Sequence, residues 1–77
     1  MTDGLEHLVG QLEEFFSFVA DQGDHRTNFD YGLRGEDDEA VIEITYRPTG
    51  VTRWYDVNVL KWSLHAIADF RRGKFEE

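Results

Sequence analysis

Between Leu5 and Val57 the apolar side chains change their spacing once, and that change decides most of what the chain can become. Up to Ala20 they recur every three or four residues, at Leu5, Leu8, Val9, Leu12, Phe15, Phe16 and Val19. This is the period of a helix with one buried stripe. Asp3 followed by Glu6 is a capping-box variant, because both carboxylates can accept from the free N–H groups of a first turn. Gly23 is the expected stop.

From Phe29 the period is two. Phe29, Tyr31 and Leu33 alternate with polar residues and glycine, and Ile42, Ile44 and Tyr46 alternate with Val41, Glu43 and Thr45. Both segments read as half-buried strands. The charged run Gly35-Glu36-Asp37-Asp38-Glu39 separates them as a loop. Arg47-Pro48-Thr49-Gly50 has the chemistry of a tight hairpin turn, and a third strand runs from Val51 to Val57. A three-residue loop places Ile44 opposite Trp54 and puts Ile42, Ile44, Tyr46 and Trp54 on the core face. Val41, Glu43, Thr45, Val51, Arg53, Tyr55 and Val57 then share the open face, and a slip of one residue exchanges the two.

Asp56 or Asn58 is the expected cap of a closing helix that runs to about Arg72 and stops at Gly73. Its core stripe reads Leu60, Leu64 and Ile67, with Trp62 widening the apolar arc. The expected fold is therefore α+β: one α-β-β-β-α domain over 1–77, a three-stranded antiparallel sheet with two helices on one face. Its last few residues are expected to fray. The core is expected to hold Leu8, Leu12, Phe15, Phe16, Val19, Ile42, Ile44, Trp54, Leu60, Leu64 and Ile67.

This element order resembles that of double-stranded RNA-binding domains, which hold phosphates with basic residues at the start of the last helix and in the first hairpin loop. Here those places carry Asp56, Asn58 and a single Lys61, and the acidic run 36–39. The chain has 16 acidic against 8 basic residues, a formal net charge of −8. Residues 1–40 hold eleven acids against two bases, and residues 41–77 five against six. Direct binding of nucleic acid or anionic lipid needs the opposite sign, so neither is expected as a partner. The apolar runs fall far short of the roughly 20 residues that span a bilayer. The opening Met1-Thr2-Asp3-Gly4 lacks the positive charge of a signal peptide, so a cytoplasmic location is expected.

No catalytic constellation stands out. Without cysteine there is no thiolate nucleophile or thiolate metal site. Ser17 and Ser63 fall inside helices rather than on a strained elbow. His65 and Asp69, four apart on a helix, supply two ligands of different type, too few for a metal site. The glycines serve as turns and stops rather than a phosphate cradle. No catalytic residue, cofactor or metal is expected.

What remains is surface. The crowded carboxylates of the first half are expected to face a basic protein partner, through Glu13, Glu14, Glu36, Asp37, Asp38 and Glu39, with Phe18 as an apolar anchor. In size and composition the chain resembles the small acidic inhibitors made by phages and mobile elements, which occupy nucleic-acid grooves of other proteins. The alternative is a homodimeric structural or adaptor module, since a core this small gains stability by association. Trp62, Tyr55 and Val51 are the expected dimer interface.

Overall fold

The computed structural model describes residues 3–36 and 39–76, with side chains described from His7 onward. Helix α1 spans Asp3–Asp21, a 3-10 turn Arg26–Asn28 follows, and strands β1 (Phe29–Arg34), β2 (Val41–Tyr46) and β3 (Val51–Asp56) lead to helix α2 (Trp62–Arg71). The strands form one antiparallel sheet in the order β1-β2-β3. Both helices stop where expected, and by the same device. Gly23 N–H bonds Ala20 O while Asp24 N–H bonds Val19 O, and Gly73 N–H bonds Phe70 O while Lys74 N–H bonds Asp69 O. These paired bonds satisfy the last carbonyls of each helix around a glycine of positive φ.

The β2–β3 turn is one residue longer than expected. Gly50 N–H closes onto Tyr46 O at 2.7 Å, so Tyr46 pairs with Val51, Ile44 with Arg53 and Ile42 with Tyr55. That single step exchanges the faces of β3. Trp54, expected in the core, stands on the open face and is 60% exposed, whereas Tyr55 is 7% exposed beneath the helices. The open face is also more polar than expected. Thr45 and Thr52 share a hydrogen bond of 2.7 Å, Trp54 Nε1 donates to Glu43 Oε2 at 3.0 Å, and Arg47 grips Asp30 with two bonds.

Helix α2 begins later than expected, at Trp62. Asp56 does act as a local acceptor, but its Oδ1 takes Asn58 N–H in a turn rather than a helix cap. Residues 57–61 follow as turns. The late start re-aims the helix: Trp62, Ser63 and Ala66 are buried, while Leu60 and Leu64, expected in the core, are exposed. Ile67 is half-buried against the core. The start of α2 is satisfied from across the domain. Gln11 Oε1 accepts from both Ser63 N–H, at 3.1 Å, and Ser63 Oγ, at 2.6 Å. Phe18 meets Phe70 further along, so α1 and α2 lie side by side and run in the same direction.

The core is a ring cluster. Phe15, Phe16, Phe29, Tyr46, Phe70 and Phe75 meet one another at centroid distances from 4.9 to 6.5 Å. Leu12, Val19, Ile42 and Ile44 complete it, as expected from their spacing. Phe75 is buried although it follows the last helix, because the turn at Gly73 folds the chain back over β2. Thr49 Oγ holds it there by donating to Phe75 O.

Candidate protein-binding surface

The acids of this chain sort by whether the fold uses them. Glu13 on α1 stands 3.8 Å from Arg26, Asp30 on β1 is held by Arg47, and Glu43 on β2 lies 3.7 Å from Arg34. Glu14 Oε2 lies 2.9 Å from Ser63 Oγ and shares its one proton with Gln11 Oε1, which places a carboxylate at the positive end of α2. Asp24 gathers Tyr46 OH at 2.7 Å, Asn28 Nδ2 and His25 N–H. Burial works to raise the Asp24 pKa, but those donors outweigh it and hold the group below its usual 3.8. The same bond, with burial and the charges of Asp24 and Glu76, pushes the Tyr46 phenol up to about 12. Glu13 and Glu14 are therefore tied into the fold more closely than the sequence suggested.

Glu36 and Glu39 are different. They sit on the β1–β2 connection, both exposed, and neither carboxylate has an ion pair or a side-chain hydrogen bond among the described residues. Asp37 and Asp38 lie outside the described residues. The described ends of the connection are nonetheless joined. Glu39 N–H bonds Glu36 O at 3.0 Å, and Gly35 turns at φ +83°, where an added Cβ would stand 2.6 Å from Glu39 O. Only glycine fits that approach without a shift.

Glu36 follows the far end of β1 from Arg26, the partner of Glu13, so Glu13 and Glu36 lie towards opposite ends of that strand. What the fold does bring beside the loop is the 57–61 connection, tied to it by Val57 N–H on Ala40 O at 3.3 Å. That connection presents Val59 and Leu60, the latter 71% exposed, and Leu64 follows on the first turns of α2. An open hollow of about 300 Å3 adjoins it between β3 and α2, walled by Trp54, Asp56, Val59, His65 and Asp69. Asp69 accepts Tyr55 OH at 2.8 Å and lies 3.8 Å from Arg53. Burial, then that hydrogen bond, drives the Tyr55 phenol well above the usual tyrosine range.

Four of the expected contact residues, Phe18, Trp62, Tyr55 and Val51, lie at least half-buried in the fold. Phe18 is half-buried and meets the edge of Phe70 at 6.1 Å, so it packs the helix pair rather than an outside partner. Trp62 is fully buried and stacks on Tyr55 at 6.2 Å, which removes both from a surface interface. Val51 is half-buried on the covered face. Spacing could not find the exposed Leu60, because it reads as core until the helix start is known.

Among the described residues no group of three or more His, Asp or Glu side chains converges as metal ligands, and no helix is long and apolar enough to cross a membrane. Comparisons with protein-family models, curated proteins and solved structures return no match to this chain.

Proposed function

We propose that the protein acts by stoichiometric binding rather than catalysis, and that its partner is a basic protein. The surface used is the end of the domain where Glu36 and Glu39 stand near the 57–61 connection. The observation that carries this reading is the pairing of uncompensated carboxylates, Glu36 and Glu39, with bare aliphatic side chains, Val59 and Leu60, on two connections bonded to each other. Charge steers an encounter and sets its rate; a desolvated apolar centre holds the complex once formed. An acidic rim of this kind complements a groove built to hold phosphates. Occupying that groove makes the protein an antagonist of a nucleic-acid-binding partner.

The test is affinity capture from native host extract with three baits in parallel: the parent, Glu36→Lys/Glu39→Lys, and Leu60→Asp. The proposal expects a basic protein retained by the parent and lost from both variants, at unchanged bait stability. A captured set identical across the three baits would refute it.

A further inference from the structure

We propose that two copies of this chain pair antiparallel through β1, about a two-fold axis at Gly32, to make one six-stranded sheet. The strand order leaves β1 at an edge, and its register with β2 is unbroken from Phe29 to Arg34, so no bulge twists that edge away. Proline and lysine, two common guards of exposed edges, are missing from Phe29-Asp-Tyr-Gly-Leu-Arg34. Two apolar side chains of this edge strand stay bare: Tyr31 is 54% and Leu33 55% exposed.

The backbone determines which groups face outward. Arg47 N–H bonds Asn28 O, so the even-numbered residues of β1 bond to β2. The N–H and C=O groups of Tyr31 and Leu33 then point to the free edge, while Phe29 N–H is already taken by Arg26 O of the 3-10 turn. In the proposed register Tyr31 lies opposite the partner's Leu33 at hydrogen-bonded positions. Gly32 lies opposite the partner's Gly32, and Asp30 opposite the partner's Arg34, at the closer non-bonded positions. Each contact is made twice by the symmetry.

Neighbouring registers fail on charge. Moving by one residue sets outward groups against inward ones. Moving the pairing one way places Asp30 against the partner's Glu36; the other way leaves Arg34 without a carboxylate. Only the Gly32-centred arrangement extends the row already present on the open face, in which Arg47 grips Asp30 and Arg34 lies beside Glu43. Across the axis the signs alternate: Arg47, Asp30, the partner's Arg34, the partner's Glu43. On the other face Tyr31 already touches Phe16 of α1, at 5.6 Å. Val9, exposed and on the Glu13–Phe16 side of that helix, continues the apolar border.

The proposal is tested by sedimentation and by a disulfide. The parent is expected to be dimeric at micromolar concentration. Asp30→Lys and Arg34→Glu should each weaken the dimer by about tenfold or more, since each replaces two attractive cross-strand pairs with two repulsive ones. Mixed together, the two variants should restore it. The lysine introduced in one chain then meets the glutamate introduced in the other, and the native Arg34 of the first meets the native Asp30 of the second. The chain has no cysteine, and a Cβ at Gly32 meets nothing within 4 Å, so Gly32→Cys reports the axis directly. It should form a disulfide-linked dimer under mild oxidation, whereas Ser17→Cys should not. A parent that stays monomeric, a dimer indifferent to both reversals, or a Gly32→Cys chain that links no better than Ser17→Cys overturns the proposal.

Discussion

Tyr55 and Trp54 are adjacent, both aromatic, and opposite in role. Tyr55 is buried against Trp62 and bonds Asp69, while Trp54 lies on the open face against Glu43. Truncating a buried ring costs about 3–5 kcal/mol, so Tyr55→Ala should lower the thermal midpoint drastically. Trp54→Ala should move it little, within about 0.5 kcal/mol, as for other surface changes. Equal losses in calorimetry would show that the faces of β3 are misassigned. The Asp24–Tyr46 pair makes a second statement at this scale. Tyr46 is held neutral above its usual 10.0, so its contribution to stability is present below that value and is lost as pH rises through about 12. Asp24 works the other way, contributing above its usual 3.8 and losing that contribution as pH falls through its lowered value. Asp24→Asn should bring the Tyr46 phenolate absorbance transition down toward the ordinary tyrosine range.

Among the elements, α2 depends most on something outside itself. Its cap residue Lys61 makes no side-chain capping bond, and Gln11 of α1 supplies the acceptor for Ser63 N–H instead. Gln11→Leu removes the acceptor of the buried Ser63 N–H, at about 1–3 kcal/mol, while the Ser63 hydroxyl keeps Glu14. Amide exchange should quicken first in α2, ahead of the sheet; uniform quickening would deny the capping role. The same dependence explains how legible each element was. Helix α1 and the three strands were readable because their patterns are local and end in glycine or polar turns. The start of α2 was not, since its acceptor is 52 residues away and its buried side chains include Ser63 and Ala66, which spacing alone ranks below Leu60 and Leu64. The faces of β3 turned on one residue in the 47–50 loop. In the candidate site, the acidic loop was legible as composition. Its neighbours were not: the Val57–Ala40 bond only continues the β2–β3 ladder, but Leu60 and Leu64 beyond it read as core until the helix start is known.

At the scale of the molecule, charge is unevenly committed. The sheet and helices pair Glu13, Asp30, Glu43 and Asp69 with arginines, yet Glu36 and Glu39 of the β1–β2 loop have no counter-charge among the described residues. Self-repulsion in that loop gives nothing back to the fold, so Glu36→Lys/Glu39→Lys should leave thermal stability equal or higher. Binding should respond in the opposite sense. Exposed charges are screened beyond about 8–10 Å near physiological salt, so a steered encounter slows as ionic strength rises. The decisive measurement is the association rate of the captured partner, with the parent and with Glu36→Lys/Glu39→Lys, across a range of salt. The parent rate should be fast and fall steeply with salt, and the variant rate should be at least about tenfold lower and nearly flat. Two equal rates with the same salt dependence would contradict this.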